Sequence, residues 1–95
     1  MAGLAVEREG GRILYRGFRA SGGGEVDLIC RVGELLCFIE VKTRRSLLHG
    51  RPVDAVNTAK QRLILRGARE WLRRMSRGGA SNSYRFDVIE VVLTD

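Results

Sequence analysis

Several residue types are scarce in this chain of 95 residues, and each scarcity removes a class of site. Two cysteines, Cys30 and Cys37, are too few for a zinc cage. The strand pairing expected below sets them opposite each other, where a disulfide between adjacent strands is strained, so they are expected as buried free thiols in a reducing compartment. No stretch approaches the roughly 18 consecutive apolar residues of a membrane span. The N-terminus also lacks the charged start and apolar core of a secretory signal, and a cytoplasmic protein without membrane contact is expected. The one histidine, His49, and the one proline, Pro52, fall in an irregular stretch, and a lone loop histidine reads as packing or surface. Lysine is scarce too: of 17 Lys and Arg residues, only Lys42 and Lys60 are lysines. In a chain that uses arginine by default, a lysine at 42 points to a role needing a compact ammonium.

What is present is positive charge and a modest apolar core. A formal net charge of +6 and a pI near 10.3 call for a polyanionic partner, either nucleic acid or an acidic membrane surface. Charge alone does not choose between them, and it also serves simple solubility. An apolar content of 44% suffices for one domain with a single core, and no internal repeat or linker interrupts it.

The stretch 24–44, GEVDLICRVGELLCFIEVKTR, organises the rest. It reads as two strands, 25–31 and 35–42, joined at Gly33-Glu34, with glycine first as a type II′ turn prefers. That turn sets Asp27 opposite Glu40 and Glu25 opposite Lys42, with all four on one face at the end far from the turn. Apolar residues occupy both faces: Val26, Leu28, Leu35, Ile39 and Val41 on one, Ile29, Leu36 and Phe38 on the other. The hairpin is therefore expected to be central. Acids facing each other repel, so Lys42, a divalent cation, or both must compensate. Carboxylates holding a divalent cation beside an amine form a constellation that cleaves phosphodiesters.

Around this hairpin, residues 2–9 have the spacing of a short helix ended by Gly10-Gly11. Residues 12–19 alternate as a strand, with Ile13 and Tyr15 on one face and Leu14 and Phe18 on the other. Residues 21–24, SGGG, read as a loop whose glycines would also admit a phosphate backbone closely. The irregular stretch 43–53 carries Arg44, Arg45 and Arg51, which either grip phosphates beside a scissile bond or form a solvated loop. A helix is expected from Asn57 or Thr58, the latter start forming a Thr58-x-x-Gln61 capping box, to about Met75, with a buried stripe of Ile64, Ala68, Trp71, Leu72 and Met75. Trp71 is then core rather than a stacking platform, and arginines cover the remaining circumference as a solvated or a binding face. Lys60, in the first turn, opposes the helix dipole and so points to a specific contact. A last strand is expected over 84–93, with Asp87 and Arg85 as a local salt bridge.

The order helix, strand, strand, strand, helix, strand, with Asp27 followed by Glu40-Val41-Lys42, resembles the PD-(D/E)XK nuclease superfamily. GEVDLI at 24–29, FIEVKTR at 38–44, the His49-Gly50 turn, residues 56–60 before the Arg-rich helix and RFDVIEV at 85–91 are together similar to the YraN-type family of bacterial endonuclease-like proteins, over essentially the whole chain. The hairpin also resembles archaeal Holliday-junction resolvases. The resemblance implies an α/β, restriction-endonuclease-like fold: a mixed central sheet, order α-β-β-β-α-β, flanked by helices. The N-terminal helix is shortened, since with Gly10 aligned, Ala2 and Val6 take the family's Ala and Leu positions and its helical Glu has no counterpart. The resemblance further implies that Asp27 and Glu40 bind Mg²⁺ or Mn²⁺, that the Val41 carbonyl adds a ligand, and that Lys42 orients or activates the attacking water. Glu25 is then a supporting acid or a partner for Lys42.

The expected function is that of a metal-dependent endonuclease cleaving DNA, branched or structured DNA included, through a metal-activated water. Phosphate contacts are expected from Arg44, Arg45, Arg51 and Lys60. Two other readings stay open on the residues: a non-catalytic nucleic-acid-binding module that retains the fold, and an interaction protein whose acids form only an ion-pair network. A homodimer is a further expectation, because a small domain with a shortened helix leaves apolar surface to cover and resolvase-like chemistry needs paired cuts.

Overall fold

The computed structural model describes residues 10–44, 57–75 and 83–93. The helix expected over residues 2–9, and Arg45, His49 and Arg51, lie outside the described residues. Strands β1 (Arg12–Arg19), β2 (Glu25–Val32) and β3 (Leu35–Arg44) come first, then helix α1 (Thr58–Met75) and strand β4 (Ser83–Val92). They form a four-stranded mixed sheet in the order β1-β2-β3-β4. β1–β2 and β2–β3 are antiparallel and β3–β4 is parallel. Parallel neighbours need a long crossover, and α1 lies within it. Among the described residues no helix is long and apolar enough to cross a membrane.

The hairpin forms where expected. Gly33 has φ 60° while Glu34 keeps a negative φ, the combination a type II′ turn requires. Val32 pairs with Leu35, and the expected register holds as far as Leu28 and Ile39. Cys30 and Cys37 face each other as buried free thiols, and burial pushes the Cys30 thiol up, which keeps it protonated. β3 runs past its expected end at Lys42 because β4 pairs along it as far as Arg44 and Val92, supplying hydrogen-bond partners for the extra residues.

α1 covers one face of the sheet. There Phe18, Val26, Ile29, Leu36 and Phe38 pack with Ile64, Ala68 and Trp71. The Phe18 and Trp71 rings meet edge to face at 5.3 Å, the preferred arrangement for their quadrupoles. The other face carries Leu28, Cys30, Cys37 and Ile39, flanked by Ile13, Val41 and Ile89.

Three expectations about faces are corrected. Val26 packs under the helix rather than beside Leu28, because the start of β2 is drawn onto α1. Tyr15 touches Phe18 and Trp71 instead of facing away from them, because the β1–β2 register slips between Ile13 and Tyr15 and a bulge breaks the alternation. The buried stripe of α1 ends before Met75, which is 52% exposed at the last helical position.

A glycine pair sets how closely α1 approaches β2. A Cβ on Gly24 would lie 2.2 Å from the Gly67 backbone nitrogen, and a Cβ on Gly67 would lie 2.8 Å from Val26 Cγ2 and 3.0 Å from the Glu25 backbone. Helix propensity alone favours Gly67→Ala by about 1 kcal/mol. The overpacking against β2 opposes it with about 1–3 kcal/mol and should win. Gly67→Ala is therefore expected to lower stability in urea unfolding, and a stabilised variant would show that this contact is not tight.

Candidate functional site

β2 and β3 part at Asp27. Its Oδ2 accepts the Val41 amide N–H at 2.8 Å, so a side-chain oxygen takes a backbone donor just beyond the last ladder pair, Leu28 and Ile39. The expected rungs between Asp27 and Glu40 and between Glu25 and Lys42 are not made as ladder pairs. A carboxylate that replaces a strand partner holds itself against β3 and opens the end of the hairpin.

Glu40 follows Phe38 on the helix side of β3. Only 8% exposed, it is the one buried charged residue among those described. Its Oε2 is fully enclosed without a hydrogen-bond partner. Burial, and then the charge of Asp27, push its carboxyl above the usual carboxylate range, while Lys60 pulls it down.

The opposing cation comes from α1. Lys60 Nζ pairs with Glu25 Oε1 and lies 3.5 Å from Glu40 Oε1. The helix start places it: Asn57 Oδ1 accepts the Lys60 amide N–H at 2.8 Å, capping the helix at Thr58. Of the two expected starts the structure takes Asn57 as the cap, and not the box of Thr58 and Gln61. The hydrogen bond from Lys60 holds the Glu25 carboxyl below its usual range, and that same bond raises the Lys60 ammonium.

The structure therefore brings Glu25, Asp27, Glu40 and Lys60 together. Lys42, expected to offset the acids, is half-buried on β3 and sits opposite Glu90 in the parallel register. Arg44 ends β3. Sequence reasoning placed Lys60 among the phosphate contacts and did not pair it with the acids. The signal for that pairing was the cation set against the helix dipole in the first turn, where a compensating partner is needed.

No group of three or more His, Cys, Asp or Glu side chains suited to a metal ion is found among the described residues. The donors on offer are the Asp27 and Glu40 carboxylates, which are hard oxygen ligands. Mg²⁺ typically takes one or two carboxylates and completes its shell with water and phosphate oxygens. An enclosed carboxylate oxygen without a partner, beside a second carboxylate, fits such an ion.

The ion pairs also predict a pH dependence. The lowered Glu25 carboxyl adds stability above the ordinary carboxylate range and loses it as pH falls through its lowered value. The raised Glu40 carboxyl does the reverse, costing stability as it ionises with rising pH. Lys60→Met removes the cation that serves both, so it is expected to cost about 1 kcal/mol at neutral pH, a partly exposed pair being screened. Urea unfolding from pH 7 down to about pH 3 should show the loss shrinking as the acids protonate. A loss independent of pH would assign Lys60 to packing.

A family model described as "Uncharacterised protein family UPF0102" matches residues 1–91 of the chain. A UPF0102 protein of Geobacter sulfurreducens is 44% identical over 93 residues, covering 98% of this chain and 70% of its own. One of Chloroherpeton thalassium is 36% identical over 95 residues, covering 100% and 71%. One of Syntrophotalea carbinolica is 47% identical over 88 residues, covering 90% and 68%.

Proposed function

The chain belongs to the UPF0102 family, and on that footing we propose that it is a Mg²⁺- or Mn²⁺-dependent endonuclease, built on a restriction-endonuclease-like fold, that hydrolyses phosphodiester bonds of DNA. The observation that carries this reading is the enclosed, unpartnered Glu40 oxygen beside Asp27 at the open end of the β2–β3 hairpin. Acids whose ionisation is shifted by burial and by a specific charged partner, gathered at one place, are what a functional site requires.

On this reading Asp27 and Glu40 hold the ion, with the Val41 carbonyl as a further oxygen. A bound divalent ion supplies Lewis acidity toward the phosphate and a lower pKa for water. Asp27 is fixed for its part by the Val41 amide, and Glu40 by its burial in β3. Lys42 orients the attacking water and offsets charge that develops on the phosphate oxygens. Lys60 keeps Glu25 and Glu40 from repelling each other. Arg44, Arg45 and Arg51 follow the acids in the chain and hold the phosphates on either side of the bond that breaks. The hairpin's resemblance to junction resolvases extends the substrate class to branched DNA, where paired cuts call for a homodimer.

A second reading, a nucleic-acid-binding module without turnover, rests on the ion pair of Glu25 with Lys60, which leaves Asp27 and Glu40 as the acids on offer to an ion. One assay separates the two: cleavage of linear, flapped and four-way DNA with Mg²⁺ or Mn²⁺. Glu40→Ala and Lys42→Ala should each slow cleavage by about 100-fold or more, as loss of a group acting on the reacting water does. Activity that survives both substitutions sinks the assignment. Binding without metal-dependent cleavage selects the second reading.

A further inference from the structure

Beyond the acids, α1 carries an arginine face. Within Thr58–Met75 there are five arginines, Arg62, Arg66, Arg69, Arg73 and Arg74, and one acid, Glu70. The first four recur at i, i+4, i+7 and i+11, so they lie along one side of the helix, and all four are exposed. At 1.5 Å rise per residue, successive members stand about 4.5–6 Å apart along the axis. Neighbouring like charges at this spacing destabilise a helix.

A merely solvated face would relieve that repulsion with acids three or four residues away. Here Glu70 is the sole acid on the helix, and it is already taken. Arg73 Nη2 reaches it at 2.5 Å and Arg74 Nε at 2.9 Å, holding the Glu70 carboxyl down at about 2. Arg62, Arg66 and Arg69 have no ion-pair partner among the described residues.

Next to this face lies the turn over residues 21–24. Arg66, Arg69 and Arg73 line a shallow cavity of about 260 Å³ together with Ala20, Gly22, Gly24 and Glu70, whose charge Arg73 and Arg74 already offset. The turn is held shut by the Ala20 amide on the Gly24 carbonyl, 2.8 Å, and by the Gly23 amide on the Ala20 carbonyl, 3.0 Å. It is locked to the helix by the contact of Gly24 with Gly67. Nothing lies within 4 Å of a Cβ built on Gly22, so no side chain fences the groove on that side. The turn leads straight into Glu25, which touches Lys60 in the acidic cluster.

We propose that Arg66 and Arg69, with the glycine turn at residues 21–24, form a groove for the sugar–phosphate backbone of a nucleic acid, and that Arg62, next along the same helix face, leads it toward the acidic cluster. This rests on nucleic acid being the partner proposed above, but not on cleavage. The backbone of the groove is set before it is occupied, because the glycine contact fixes the turn against the helix. Its guanidiniums are planar donors that suit phosphate oxygens.

The test is binding of duplex and four-way DNA by fluorescence anisotropy in EDTA over a salt series. The Arg66→Gln/Arg69→Gln variant should bind about tenfold more weakly near 0.1 M salt, and the slope of log K against log salt should fall by about 2, one phosphate contact for each arginine removed. Gly22→Asp, which puts a carboxylate into the groove at a position with open space, should weaken binding with an unchanged thermal midpoint. Arg85→Gln, on β4 and paired with Asp87, should change neither affinity nor slope. Salt-sensitive DNA binding by the parent chain with an unaltered slope in the double variant overturns the groove and leaves the DNA reading standing. Absence of DNA binding by the parent chain overturns both. Loss of binding to phosphatidylserine vesicles in the double variant, with no DNA binding by the parent, would reassign the face to a membrane surface and overturn the nucleic-acid groove.

Discussion

The Asp27 carboxylate standing in for a strand partner is the interaction on which the site depends. An antiparallel hairpin left to itself would continue its ladder to the end of the shorter strand, and its facing acids would be held at rung distance. By accepting the Val41 amide, Asp27 satisfies a backbone donor that would otherwise be orphaned, and it fixes its own direction in the same step. Glu40 can then sit inside, under the helix, without a matching residue pressed across from it. With Ile64, Leu65 and Phe86 it lines the groove between α1 and β4, a placement that follows from the strand order and not from the hairpin alone.

The second constraint is the bare contact of Gly24 with Gly67. It brings the start of β2 within backbone distance of α1, and Lys60, earlier on that helix, reaches both Glu25 and Glu40. The same contact fixes the glycine turn beside Arg66 and Arg69. One close approach therefore positions a cation among the acids and an array of cations outside them. The two roles are separated by burial: the Lys60 side chain is 28% exposed and ion-paired, whereas the arginine face is open to water.

Much of this was legible in the sequence because it depends on local chemistry. The glycine turn at Gly33, the alternation of β3 and the apolar period of α1 each follow from a few neighbouring residues, and each element stands where those residues put it. Arg85 and Asp87 pair as their spacing suggests, 2.7 Å apart. What failed to read depends on contacts distant in the chain. The side to which Val26 points is decided by Gly67, and the true partner of the acids was a lysine 35 residues beyond Glu25. Asn57 and Thr58 both read as helix starts, since Asn57 offers a cap and Thr58 a capping box with Gln61, and only the position of the helix start in the fold distinguishes them.

The energetics weigh on the choice between a catalytic site and a structural ion-pair network. A buried network stabilises only when every lone pair and proton is satisfied, and replacing it by apolar residues is otherwise neutral or favourable. Lys60 approaches Oε1 of Glu40, while Oε2 stays enclosed and unpartnered, and Asp27 adds a second like charge. The network is thus incomplete at the one oxygen from which water is excluded, a defect that costs stability and that an apolar residue at position 40 would remove. An arrangement kept for stability alone has no use for that oxygen. On the reading proposed above the same oxygen serves as a ligand, and the repulsion from Asp27 would be offset by one shared ion.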